Sequence, residues 1–263
     1  MVDNNQYKKI YTYALGFLEK NKPEGINLAP YYEADSKCTT LEGVFKRFVI
    51  SAQNYQSMPN VIGITRNISR KEKVEEILRN YDIGYVSTLN ADDLYNRFRD
   101  EFNITSKDCK QNSWYKWSHA IVDSALFLSE FSSYEDFDKF VDLFDYNVHT
   151  RMALPLLIAE KVSGIGFALA CDMLKELGYV SYPKPDVHLM DVFAELGLCK
   201  HEPLDTFEAV VKMAEVCGET PYKVDKVFWL ICSGRYYKDD MENNKVRPLK
   251  KEFIREVKEI RQG

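Results

Sequence analysis

Apolar residues in this chain recur every three to four positions in one segment after another. No segment sustains the two-residue alternation of a half-buried strand. Tyr7, Ile10, Tyr11, Ala14, Leu15 and Leu18 give a first amphipathic helix, ended by Lys22-Pro23-Glu24-Gly25. An irregular stretch follows, Asn27 to Thr40, containing Pro30-Tyr31-Tyr32. Leu41, Val44, Phe45, Phe48, Val49 and Ala52 mark a second helix that closes in Ser51-Ala52-Gln53-Asn54. Ser69 is the expected N-cap of a third, whose buried face holds Val74, Ile77 and Leu78. Asp92 to Phe98 makes a short helix. Beyond the polar loop Thr105 to Asn112, Ser113 is expected to cap a long one through Trp114, Trp117, Ile121, Ala125 and Phe127. Further helices are predicted near 135–144, 150–161, 167–178, 187–197, 205–216, 222–233 and 249–260. The fold class is all-α, about a dozen helices in more than one layer.

At 263 residues the chain is long enough for one sizeable domain or two small lobes, each with an apolar core. Its formal net charge is −5, so it carries no global basic footprint. Phosphate neutralisation by Lys and Arg supplies most non-specific nucleic-acid affinity, which leaves only a local basic stripe for such a role. The first six residues have neither a cationic segment nor an apolar one, and no apolar run reaches membrane-spanning length. The expected location is therefore cytoplasmic, nucleoid-associated in a prokaryote. Six cysteines (Cys38, Cys109, Cys171, Cys199, Cys217, Cys232) lie far apart without a CxxC pair, which fits reduced thiols and gives no support to a zinc site.

Two stretches carry chemistry. In Val162-Ser163-Gly164-Ile165-Gly166, two glycines one residue apart join an apolar helical segment, Ala153 to Lys161, to a second one from Phe167 to Leu174. Glycine accepts φ > 0 without strain, so the pair permits a tight hairpin. The start of the second helix then offers unpaired N–H groups and its positive dipole end to an anion such as a DNA phosphate. A C-cap glycine followed by an ordinary turn accounts for the same residues. The other stretch is Tyr182-Pro183-Lys184-Pro185-Asp186-Val187-His188-Leu189-Met190. Its prolines favour extended geometry in the residues before them, and Asp186 falls where a helix N-cap belongs. Beyond capping, a rigid carboxylate at a helix start can offset positive charge on a reacting sugar and orient water.

Together the hairpin and the aspartate resemble the helix-hairpin-helix DNA glycosylases, the family of endonuclease III, the mismatch adenine glycosylase, the alkyladenine glycosylases and the 8-oxoguanine glycosylases. Their signature is similar to L-P-G-V-G, then a helix, then an aspartate in a context such as V-D-x-H; here VSGIG stands at 162–166 and PDVH at 185–188. Phe48-Val49-Ile50-Ser51-Ala52-Gln53 resembles the helix ending in L-L-S-A-Q, whose Gln fills the space left by a flipped base. Phe228 to Tyr236 resembles W-L-I-L-H-G-R-Y, and Asn112-Ser113 matches the segment beside the loop that wedges into the base stack. These landmarks keep the family's order over residues 40–237.

The resemblance implies a two-lobed fold: a six-helix lobe over 35–180 carrying the hairpin, and a second lobe built from 1–34 and 181–263. Asp186 falls at their junction as the catalytic carboxylate. Ser163, Gly164, Ile165 and Gly166 hold the DNA backbone, Gln53 plugs the vacated space, and Lys110 or Gln111 is the wedge. Tyr31, Tyr32, His188 and Trp229 are pocket candidates, with core packing as the alternative for Trp229. Phosphate contacts are further expected from Lys46-Arg47 and Arg66 to Lys71, where a solvated charged face is the equal alternative.

Departures narrow the expectation. Strand-cleaving members carry a lysine two positions after the second glycine, where this chain has Ala168, so a monofunctional enzyme leaving an abasic site is implied. Lys161, Lys175 and Lys184 lie nearby; by helical phase Lys175 is expected to point to solvent. Tyr237 and Lys238 stand where the iron–sulphur cluster's first cysteine belongs, so no cluster is expected, and Lys245 to Arg261 should close the lobe as a helix. Val49 replaces the adenine branch's catalytic glutamate, which argues against adenine as the target. The implied partner is duplex DNA with a modified base, an alkylated purine slightly favoured. The expected state is a monomer without a metal site or cofactor, save at most a monovalent cation at the hairpin. Two alternatives stay open: a non-catalytic DNA-binding module, and a glycosylase/lyase for an oxidised base using another lysine.

Overall fold

The structure is a computed structural model, and it describes residues 3–54, 58–238 and 246–262. Among these it contains helices and no β-strand: α1 (Asn4–Asn21), α2 (Ala29–Tyr32), α3 (Leu41–Ala52), α4 (Met58–Val61), α5 (Ile68–Ile77), α6 (Ile83–Val86), α7 (Ala91–Glu101), α8 (Ser113–Leu128), α9 (Tyr134–Phe144), α10 (Val148–Lys161), α11 (Phe167–Glu176), α12 (Val187–Glu195), α13 (Pro203–Cys217), α14 (Pro221–Ser233) and α15 (Lys250–Gln262). None of these helices is long and apolar enough to cross a membrane. The chain divides into two compact units, Ser36–Leu177 and Met1–Asp35 with Gly178–Gly263.

In the unit over 36–177, α8 is the central helix, with α3 and α7 packed on it. Its Trp117 is fully buried and donates from Nε1 to Val49 O at 2.9 Å, satisfying a carbonyl near the C-terminal end of α3 that has few intrahelical partners. Phe98 stacks on Trp117 at 5.3 Å and Phe48 on Phe127 at 6.2 Å, so aromatic surface fills most of the space between these helices. The hairpin pair α10 and α11 packs against the same core through α11 and α3.

The other unit is built around α14, which packs against α1, α12, α13 and α15. Phe228 meets Phe193 at 5.1 Å and Phe253 at 5.8 Å, and Phe17 closes on Phe253 at 5.3 Å. In this way a segment from each end of the chain enters one core. Along α14 the buried positions include two charged residues, Asp225 at 1% and Lys226 at 5% exposure.

Several local expectations need correction. Asn67, not Ser69, caps α5, its Oδ1 accepting Arg70 N–H at 2.9 Å. The exposed Ile68 opens that helix, and its exposure hid the start from a reading based on buried positions. Asn112, not Ser113, caps α8 by accepting Trp114 N–H at 3.0 Å, while its Nδ2 holds the preceding loop at Ser106 and Lys107. The stretch expected to be irregular contains the single turn α2 with Pro30 near its start, where a missing N–H costs nothing. The C-terminal helix begins at Lys250; Lys245 lies outside the described residues.

Replacing Trp117 by Phe leaves Val49 O without its donor and a void beside it. The expected loss is about 2–4 kcal/mol of unfolding free energy in urea titration; an unchanged midpoint contradicts this packing.

Candidate functional site

Within the unit over 36–177, α10 ends at Val162, whose extended backbone (φ −119°) turns the chain out. Val162 and Ile165 are buried and anchor the turn, and Ile165 N–H donates to Val162 O at 3.2 Å. Ser163, Gly164 and Gly166 between and after them are exposed. Gly164 sits at φ +77°, which requires glycine. Gly166 caps α11 at an ordinary φ of −91°, and a Cβ added there would meet nothing within 4 Å. Glycine is a favoured residue at such an N-cap, so its place at the start of α11 accounts for it. The amides of Gly164 and Gly166 make no hydrogen bond among the described residues. Ser163 N–H is already taken, at 2.9 Å, by the carboxylate of Asp123 from α8. That acid lies forty residues upstream in the midst of a helix, and no local pattern marks it.

The segment following Gly178 belongs to the other unit. Prolines 183 and 185 have no N–H to give, so Lys184 carries the backbone donor between them, and it donates to Asp225 Oδ2 at 2.7 Å. Asp186 N–H turns back to Lys184 O at 2.8 Å, pinching the chain around Pro185. Asp186 then caps α12, its Oδ1 accepting from His188 N at 2.9 Å and Leu189 N at 3.2 Å. The side chain is half-buried. Burial first, and then the charge of Asp225, push its carboxyl above the ordinary aspartate value, against the opposing pull of Lys184, His188 and Leu189 N–H. His188 is also half-buried, and among the described residues its Nδ1 has no partner; burial pushes its pKa down, so the ring is neutral at neutral pH. Two carboxylates, a lysine and a neutral imidazole thus gather at the start of α12.

The remaining candidates are placed unevenly. Lys110 and Gln111 are both exposed in the turn entering α8. Gln53 is enclosed instead: it is fully buried, and among the described residues neither amide atom has a hydrogen-bond partner. Tyr31 is likewise interior, its hydroxyl accepting Lys238 N–H at 2.9 Å and its ring meeting Tyr236 and Tyr237 edge-on. As core packing it is withdrawn from the pocket. Tyr32 and Trp229 are half-buried, Trp229 edge-on to Tyr237 at 5.8 Å. Lys226 lies 5.1–5.8 Å from the rings of Tyr222, Trp229 and Tyr237 and donates to the Tyr237 hydroxyl at 2.6 Å.

Lys175, expected in solvent, is 4% exposed and 3.4 Å from Asp172, because α11 is covered on more faces than a one-sided phase argument allows. Arg70 and Lys46 are not available for phosphate as they stand. Arg70 Nη1 donates to the carbonyls of Val61 and Ile62, and Lys46 pairs with Glu75 at 2.7 Å. Arg66 bonds Asn60 on the surface. Among the described residues no group of three His, Cys, Asp or Glu side chains is arranged to hold a metal.

The two hairpin glycines should respond differently to alanine. Gly164→Ala is expected to cost about 1 kcal/mol or more because of its left-handed backbone, whereas Gly166→Ala stays within about 0.5 kcal/mol of the wild type. Urea unfolding measures both; equal losses contradict the distinction.

No family model and no curated protein matches this chain. Among solved structures it is similar to the Methanocaldococcus jannaschii 8-oxoguanine glycosylase/lyase in complex with a 15mer DNA containing 8-oxoguanine, at 14% identity over 86% of each chain with a TM-score of 0.44.

Proposed function

We propose that this protein is a monofunctional DNA glycosylase, which hydrolyses the N-glycosidic bond of a modified base flipped out of duplex DNA and leaves an abasic site. The observation that carries the reading is Asp186: a half-buried carboxylate, locked by two backbone donors, whose ionised form is made costly by burial and by a second acid. A structural cap needs neither cost. Perturbed carboxylates of this kind concentrate at catalytic sites. The hairpin supplies the second support, through the unbonded amides of the exposed Gly164 and Gly166 at the start of α11.

In this reading the backbone of the DNA is gripped by Gly164 and Gly166, and Lys110 or Gln111 fills the stack. Extruding the base costs a few kcal/mol. As the glycosidic bond lengthens, positive charge grows on the sugar, and the Asp186 carboxylate stabilises it and orients the attacking water. The neutral His188 adds no competing positive charge beside it. An alkylated purine, already cationic, leaves without protonation and suits a site with little acid help.

Oligonucleotide duplexes with one modified base each, scored for alkali-sensitive nicks, test the reading. Asp186→Asn should lower single-turnover base release by at least about 100-fold while duplex binding persists. Release requires ionised Asp186, so it should fall as pH drops, and this acid limb should lie above the ordinary aspartate value of 3.8. If the wild type releases no base from any duplex, a non-catalytic DNA-binding module is what remains.

Borohydride should trap no covalent adduct, since Ala168 offers no amine. A trapped adduct would refute the monofunctional assignment. Lys175, on the same face of α11 two turns on, would be the first lysine to map.

A further inference from the structure

We infer that Asp123 is a positioning residue for the hairpin, fixing from α8 the peptide on which the turn into α11 begins. The inference rests on the DNA-binding reading for its meaning, and on a bond within the unit over 36–177 for its content.

The chain turns over Val162–Ile165, closed by Ile165 N–H on Val162 O at 3.2 Å. Gly164, third in the turn, has φ +77°, and Ser163 before it lies outside the left-handed region, the pattern of a type II turn. The second residue of such a turn has no partner inside it for its N–H. Ser163 N–H donates instead to Asp123 Oδ2 at 2.9 Å, across 40 positions of sequence. Asp123 stands in the middle of α8, between the buried Val122 and Ser124, on the helix against which α3, α6, α7 and α10 pack. The turn is thereby tied to the most enclosed helix of its unit.

Satisfying the amide does not by itself account for the acid. Ser163 is exposed, and water would accept the same N–H. A carboxylate beside amides offered to a phosphate also opposes that phosphate by like charge. What the bond supplies beyond satisfaction is restraint, and two glycines among residues 163–166 leave this stretch with much backbone freedom to lose. With the peptide before Ser163 tied to α8, and Val162 and Ile165 buried on either side, the amides of Gly164 and Gly166 are set out before a ligand arrives. Ordering a loop in advance raises affinity because less freedom is lost on binding. A proline at 163 would impose a similar restraint covalently. It fits the second place of a type II turn, and Val162, at φ −119° and ψ 110°, already has the extended backbone that precedes a proline.

The test uses a duplex bearing one tetrahydrofuran abasic position, with binding followed by fluorescence anisotropy. Asp123→Asn keeps an acceptor for Ser163 N–H and should bind this duplex at least as tightly as the wild type. Asp123→Ala removes the acceptor, and affinity should fall by about 10-fold. Alanine suits a half-buried place in mid-helix, so D123A should fold. In the Ser163→Pro background there is no N–H to hold and the turn is preset, so adding D123A should change affinity by less than about 2-fold. In nitrogen-15 NMR of the free protein, the Ser163 amide should exchange faster in D123A than in the wild type and D123N. A D123A protein that binds as the wild type does, with only its urea midpoint lowered, makes the bond merely structural and overturns the inference. Tighter binding by D123A overturns it as well, since Asp123 would then be competing with a phosphate for the amide. A loss that persists undiminished in the S163P background, or a Ser163 amide as protected in D123A as in the wild type, does the same. A wild type that does not bind the duplex at all is a different result, and it sinks the DNA-binding reading itself.

Discussion

Asp186 accepts the amides of His188 and Leu189, and those two bonds keep a half-buried charge in one orientation at the start of α12. A carboxylate free to turn toward water would shed much of its desolvation cost; this one is held where burial and Asp225 both oppose its ionisation. Capping contributes about 1 kcal/mol to a helix and is common. Raising the cost of the capping charge is not part of that service, and it is the excess that points to chemistry.

The helices themselves were legible because each satisfies its apolar face locally. The ends of α3, α12 and α14 follow from periodicity together with Thr, Asp and Gly at their termini, whereas the caps of α5 and α8 lie one or two residues earlier than the pattern predicts. What escaped were contacts between segments far apart in sequence. Asp123 reaches the hairpin from the middle of α8, and Asp225 reaches the proline loop from α14. Neither has a local motif. Burial of a polar side chain was equally unreadable: Lys175 falls where helical phase predicts solvent, Gln53 where the family resemblance implies access, and both are buried.

The hairpin illustrates how a fold can be read for what is missing from it. Gly164 is explained by its own backbone angle, and Gly166 by its place as the N-cap of α11. Exposed amides beside such a position form a surface suited to a phosphate at the positive end of α11. In the proposed reading, the acidic chain holds a polyanion without a broad basic face, since backbone donors carry no net charge. Neutral amides also predict a weaker salt dependence than an interface built from lysines.

The central claim is that Asp186 recognises positive charge on a sugar ring of bound DNA. It is tested most directly with two duplexes that differ only at one abasic position, one bearing an uncharged tetrahydrofuran and the other a pyrrolidine, whose protonated nitrogen imitates the transition-state cation. The wild type should bind the pyrrolidine duplex at least about 100-fold more tightly, and Asp186→Asn should lose that preference while retaining its affinity for the tetrahydrofuran duplex. Equal affinity of the wild type for both duplexes would contradict the account.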